Sequence, residues 1–310
     1  MKIFLTGGTG FIGSHILMKL LEQGHQVTVL ARNRNKIPAL HKIPEVKIIE
    51  GSALDYRLID KSIPGHDACI HVALLWGEPG AYKMLINDTA SSAYLADAAA
   101  NAGCKQFIYT SSTAVDDIFY MVSEEERNDD TKLIPVTYKH KPATYYGATK
   151  AATENFMLAV SFQTKMKVNI VRPGYTFGNP AIEGAPVQAD KRFKEIAQRA
   201  KRGEDIEITK FDGTQFVYAG HLAEIYLEIL KTGVNRRTYF GLSKDFITWN
   251  DVAEEAVKLA NSASKIIIID KGYNDQPTMF DVSDIKKDFG LEFNPRQQIT
   301  EHLKYYQSLN

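Results

Sequence analysis

The stretch Thr6-Gly7-Gly8-Thr9-Gly10-Phe11-Ile12-Gly13 decides the fold. It satisfies two spacings at once: Gly8, Gly10 and Gly13 read G-x-G-x-x-G, while Gly7, Gly10 and Gly13 read G-x-x-G-x-x-G. The run Lys2–Thr6 before it reads as a strand, and the amphipathic run Phe11–Gln23 after it reads as a helix. In that setting each glycine has a task. One lets the chain turn sharply out of the strand, one removes the Cβ that would block a pyrophosphate, and one lets the helix pack close to the sheet. The helix N-terminus then offers unbonded N–H groups and a partial positive charge to phosphate. Gly7, Thr9, Gly10, Phe11, Ile12 and Gly13 are therefore the expected contacts to a dinucleotide.

Outward from the loop, short apolar runs alternate with helical patterns. Val27–Leu30, Val46–Glu50, Ala68–Val72, Phe107–Thr110 and Val168–Arg172 read as strands, and two long helices are predicted at about 81–102 and 144–164. Strands bare of polar residues, separated by helices, belong in a parallel sheet covered on both faces. Right-handed crossovers make that an α/β, doubly wound Rossmann sheet. After Arg172 the glycines and prolines of Pro173-Gly174, Asn179-Pro180 and Gly184-Ala185-Pro186 break the rhythm. Shorter elements follow, among them a basic amphipathic helix at 190–202, strands Phe216–Tyr218 and Thr238–Phe240, helices near 222–232 and 249–261, and a strand Lys265–Asp270. The resulting division is a dinucleotide-binding domain at 1–172, rejoined by elements at about 211–241, and a smaller interleaved substrate lobe at 173–310.

The second strand ends Val29-Leu30-Ala31-Arg32-Asn33-Arg34. An acidic residue here would bond a ribose 2′-hydroxyl and select NAD. It is absent, and the guanidiniums of Arg32 and Arg34 suit a 2′-phosphate. The cofactor is thus NAD or NADP, with NADP favoured. Further on, Tyr145-Tyr146-Gly147-Ala148-Thr149-Lys150 opens a helix, and Tyr146 and Lys150, four apart, share one face. A free phenol titrates near pH 10, so serving as a base at neutrality takes a shift of roughly 3 units, about 4 kcal/mol. That is a large demand, which a buried ammonium together with a positive nicotinamide ring can meet in a water-poor cleft. The strand end Thr110-Ser111-Ser112-Thr113 faces the same crevice and offers hydroxyls to hold a substrate oxygen.

Composition excludes other classes. Lys plus Arg is 37 and Asp plus Glu is 37 in 310 residues, a net charge of zero, which does not suit nucleic acid or an anionic membrane. No apolar run approaches the length of a membrane span. Cys69 and Cys104 cannot make a disulfide framework, and the first residues enter a turn too soon for a secretory signal, so a cytoplasmic protein with reduced thiols is expected. The histidines and cysteines show no metal-ligand spacing. His71 reads as structural, bonded to a backbone group. His221 is a weaker substrate candidate. The acidic run Ser123–Asp130 reads as a solvated loop.

These motifs, with Ile70-His71-Val72-Ala73, Asn87 and Arg172-Pro173-Gly174 leading to Phe177-Gly178, resemble the extended short-chain dehydrogenase/reductases, in particular the NAD(P)-dependent epimerase/dehydratase group. The resemblance implies Tyr146 as acid/base, Lys150 as ribose ligand and activator of the tyrosine, and Ser112 as holder of the reacting oxygen. It implies backbone contacts from Val72 and Ala73 to the ribose, Pro173 against the nicotinamide, Thr110 at the cofactor, and Asn87 shaping the helix behind the site. Gly51-Ser52 replaces the family's Gly-Asp, which leaves Ser52 and Ala53 at the adenine. Trp76, Thr113 and Tyr175 are the expected substrate contacts, while Phe211 reads as core packing, with the lining of an apolar pocket as its alternative. The family's diphosphate-gripping arginines are missing from Thr214–Ala223 and Gly272–Asp275, and Lys191, Arg192 or Lys210 stand as substitutes. The implied activity is hydride transfer at a carbinol or carbonyl carbon of a small molecule, in the family a sugar or nucleotide-sugar. The alternatives are an NADPH-dependent reductase of a small non-nucleotide carbonyl and a non-catalytic dinucleotide sensor. The resemblance also allows a homodimer.

Overall fold

In a computed structural model, which describes residues 1–74, 80–121, 126, 129–275 and 277–309, seven strands form one parallel sheet. They are Lys2–Thr6 (β1), Gln26–Ala31 (β2), Val46–Glu50 (β3), Ala68–His71 (β4), Gln106–Thr110 (β5), Lys167–Pro173 (β6) and Thr238–Gly241 (β7). Their order is β7-β6-β5-β4-β1-β2-β3. The two-residue period of a strand sorts β1: Ile3 and Leu5 enter the core on one face, while Phe4 enters the core on the other. Phe11–Glu22 (α1) and Ala219–Thr232 (α5) cover the first face, through Ile16, Leu20, Leu222 and Ile225. Ser91–Asn101 (α2) and Tyr145–Gln163 (α3) cover the second, through Leu95, Ala99, Met157 and Val160.

A third core lies outside the sheet. Phe177, Phe193, Phe216 and Trp249 pack there among Arg192–Arg202 (α4), Trp249–Leu259 (α6) and Arg296–Ser308 (α7). Short strand pairs tie this lobe together, Ile206–Thr209 with Ile266–Ile269 among them. The chain visits the lobe and comes back, since β7 pairs with β6 and α5 packs on α1.

Three local readings change. The helix expected at 81–102 is not uniform: Ala81–Met84 is α-helical, Leu85–Ala90 takes wider π-helical bonding, and α2 resumes at Ser91. A helix at Tyr56–Ser62, capped by the Asp55 carboxylate on Leu58 N–H at 3.0 Å, is too short to show a period. Most of the run Ser123–Asp130 lies outside the described residues, but Asp129 is held by Tyr138 and by Lys141 at 2.8 Å, so it is not a free solvated charge. Among the described residues no helix is long and apolar enough to cross a membrane.

Candidate active site

The order in which strands are added reverses between β1 and β4, and a ligand crevice opens beyond the strand ends at such a point. Here it is a cleft of about 700 Å³. Gly7, Thr9, Gly10, Phe11, Ile12, Gly13, Arg32, Ser52, Ala53, Val72, Ala73, Thr110, Ser112, Tyr146, Lys150 and Pro173 all stand on its wall.

The G-x-x-G-x-x-G spacing is the one the geometry uses. Gly7 has φ +76°, and a Cβ there would lie 2.6 Å from Ala73 N. A Cβ on Gly13 would lie 2.0 Å from Gly7 O, so α1 can start this close to the turn only without one. Gly8 faces Leu5 and Val29 instead, as a packing residue. The first turn of α1 has no acidic residue and no side-chain cap. Its N–H groups therefore remain available to an anion, so these residues fit a dinucleotide's pyrophosphate.

His71 locks this junction. Its Nδ1 meets Thr6 Oγ1 at 2.6 Å and its Nε2 meets Ser92 Oγ at 2.8 Å, while Ala73 N–H donates to Thr6 Oγ1 at 3.2 Å. The partners are hydroxyls on β1 and α2 rather than the expected backbone group. Burial first, and the Lys150 charge second, pull the imidazole down to about 3, so it is neutral at any working pH.

Across the cleft, α3 presents Tyr146 and Lys150. Its N-cap is Thr144, whose Oγ1 accepts from Gly147 N–H at 3.0 Å and donates to Asp117. Asp117 also accepts from Ala143 N–H, so this carboxylate anchors the helix start and stays off the cleft wall. A Cβ at Gly147 would lie 2.1 Å from Ala114 O, so glycine lets α3 lie directly on the turn carrying Ser112. Ser112 caps that turn, accepting from Ala114 N–H at 3.1 Å, which leaves its own proton to donate. Tyr145 is 62% exposed and turned away, whereas Tyr146 lines the cleft.

Lys150 is buried, with Nζ 3.3 Å from Thr110 O, 3.6 Å from Asp88 Oδ2, and 5.9 Å from the centre of the Tyr146 ring. Burial alone would favour the neutral amine. The oxygens of Tyr109, Asp88 and Tyr146 outweigh it and hold Lys150 above the ordinary lysine range. Below it, Arg172 grips Glu154 with Nε at 2.9 Å and a terminal nitrogen at 2.7 Å, stapling α3 to the end of β6.

Several expected contacts lie elsewhere. Asn87 is off the cleft wall, and from the same π-turn its neighbour Asp88 reaches Lys150. Tyr175 belongs to the lobe core, ringed by Phe193, Phe216 and Trp249. Thr113 does not line the cleft itself but stands beside Gly174, which does. Phe211 is exposed under Lys210 Nζ, at φ +61°. His221 stacks on Phe293 away from the site. Trp76 lies outside the described residues. Of the basic residues after β2, Arg32 lines the cleft together with Lys36, and Arg34 does not. Sequence reasoning misses Lys36 because it sits several residues past the strand, where only the intervening turn brings it back.

Residues 3–240 match the model of the NAD dependent epimerase/dehydratase family. The chain belongs to that family. Among family relatives, UDP-N-acetyl-alpha-D-glucosaminuronate decarboxylase of Bacillus cytotoxicus is 26% identical over 274 residues, 86% of this chain and 82% of that enzyme. The 3 beta-hydroxysteroid dehydrogenase/Delta 5-->4-isomerase of Mycobacterium tuberculosis is 26% identical over 186 residues, 57% of this chain and about half (48%) of that protein. The fold matches the Bordetella bronchiseptica enzyme WbmH, solved in complex with NAD+, with a TM-score of 0.77 at 23% identity over 99% of this chain and 98% of that one.

Proposed function

We propose that this chain is an NAD(P)-dependent epimerase/dehydratase-type enzyme that moves a hydride at a carbinol or carbonyl carbon, with a sugar or nucleotide-sugar as substrate. One observation carries the reading: the glycine turn, Ser112, Tyr146 and Lys150 stand on the wall of a single cleft. Gly7, Thr9, Gly10, Phe11, Ile12 and Gly13 would hold the pyrophosphate, Ser52 and Ala53 the adenine, Val72, Ala73, Thr110 and Lys150 the ribose, and Pro173 the nicotinamide. When bound, the nicotinamide supplies or accepts the hydride. Tyr146 takes the hydroxyl proton as a carbinol becomes a carbonyl, and returns one in the reverse direction. Ser112 donates a hydrogen bond to the reacting oxygen, and Lys150 stabilises the phenolate. Arg32 and Lys36 flank the adenosine end with no carboxylate partner among the described residues, which supports NADP.

The test is turnover of UDP- and dTDP-sugars and of small carbonyls, with each cofactor, by the wild type and Tyr146→Phe. The variant should lose about 10²–10⁴-fold in turnover while binding cofactor within about twofold. Equal turnover by both proteins overturns the reading.

A second reading, reduction of a small non-nucleotide carbonyl, is favoured by Arg192. Its guanidinium is 2.9 Å from Asp190, 3.7 Å from Asp212 and stacked 4.4 Å over Trp249, so it is already neutralised and not poised for a diphosphate. Lys210 is likewise held by Asp270 at 3.0 Å.

The proposal includes the two-lobe division at residue 172, a cytoplasmic setting consistent with the unpaired, buried Cys69 and Cys104, and a homodimer. Tyr82, Leu85 and Ile86, and Leu158 and Phe162 on α3, expose apolar side chains at helical spacing that a second copy would cover.

A further inference from the structure

Asp88 is a residue the hydride-transfer scheme does not use, yet the fold places it beside the lysine on which that scheme depends. It sits in the π-helical turn Leu85–Ala90. Such turns insert an extra residue into the helical repeat, rotate the side chains of the next turn, and recur at functional sites. Here the turn drives Asp88 and Thr89 inward, to 2% and 1% exposure. Asp88 Oδ2 reaches 3.6 Å from Lys150 Nζ, each side chain being 3% exposed. No hydrogen-bond donor otherwise satisfies that oxygen among the described residues. A carboxylate this deep is tolerated only against a cation.

The groups facing Lys150 come from five elements. They are Asp88 on the π-turn, Tyr109 on β5, Tyr146 on α3, His71 on β4 and Tyr226 on α5. His71 is neutral, and burial pushes the Tyr109 and Tyr226 phenols above their usual range. Burial also raises the Asp88 carboxyl, with the Lys150 ammonium pulling it back. Asp88 is therefore the carboxyl group that stands opposite this ammonium, 3.6 Å away.

We propose that Asp88 is a positioning residue: it anchors the Lys150 ammonium at the end of β5 and offsets part of its field at Tyr146. The consequence for catalysis rests on the hydride-transfer reading, whereas the ion pair itself does not. Asp88→Asn keeps the shape and an acceptor oxygen but removes the charge, while Asp88→Ala removes both.

The direct test is an NMR titration of protein labelled with [ε-13C]lysine, with the Lys150 signal assigned from Lys150→Arg. In the wild type Lys150 should stay protonated through pH 11. In Asp88→Asn its proton affinity should fall at least tenfold, bringing the titration down by a unit or more. Thermal unfolding of each variant monitors folding, and a variant that fails to fold is replaced by Asp88→Ser, for which the same fall is expected. Unchanged Lys150 titration in a folded variant overturns the proposal. The functional arm is the pH profile of turnover in the oxidative direction, which should move to lower pH in Asp88→Asn, with a larger loss of kcat than of cofactor affinity. A profile that does not move removes Asp88 from the reaction. Failure of the hydride-transfer reading would appear separately, as turnover that survives Tyr146→Phe while the lysine titration still responds to Asp88.

Discussion

Replacing Glu154 by Gln should both loosen the fold and disturb the site. Glu154 lies one turn beyond Lys150 on α3, and Arg172 lies next to Pro173 at the end of β6. The two side chains are 5% and 3% exposed, and Arg172 makes both of its bonds to Glu154 within 2.9 Å. His140 closes the network, 3.3 Å from Glu154. Burial opposes the carboxylate, but His140 and Arg172 outweigh it and hold it down to about 2, against an ordinary 4.5. That difference corresponds to about 3 kcal/mol of stability. The cost of breaking one half of a buried ion pair, about 3–5 kcal/mol, agrees. At roughly 2 °C per kcal/mol for a large domain, Glu154→Gln should lower Tm by about 6 °C or more at pH 7. A carboxyl with a depressed pKa contributes fully above 4.5, and its contribution is lost as pH falls through 2. The gap between wild type and variant should therefore shrink to about half by pH 3. Scanning calorimetry at both pH values checks this. A Tm change under about 1 °C at pH 7, or an equal gap at both pH values, would refute the reasoning.

Gly13→Ala must displace α1 or the turn, since the new Cβ would lie 2.0 Å from Gly7 O. Cofactor affinity should fall by about 100-fold, read by quenching of NADPH fluorescence, because a shift of order 1 Å spoils the cradle. Arg32→Ala should weaken NADPH about tenfold, and Lys36→Ala somewhat less, with NADH changed less than twofold, since one charge-assisted contact to a 2′-phosphate is lost; equal losses for both cofactors would count against that contact. Leu158→Glu, at a 48% exposed position on α3, should convert a dimer to a monomer by light scattering while leaving Tm within about 2 °C.

The doubly wound core is legible in the sequence because its signals are local. The glycine spacing, the apolar strand runs and the Tyr146–Lys150 interval each lie within one element and its turn. Sequence alone therefore determined the sheet, the phosphate turn, and which hydroxyl and ammonium share a helix face. Tertiary structure decided what depends on distance along the chain. Asp88 meets Lys150 across 62 positions, through a π-turn that no ordinary helical period announces. Lys36 returns to the cleft, while Tyr175 is claimed by the lobe's aromatic core. His71 finds its hydroxyls on two other elements. Periodicity reports how a segment sits on its own axis. Which partner stands opposite is set only once separate segments pack, as where the π-turn brings Asp88 to Lys150.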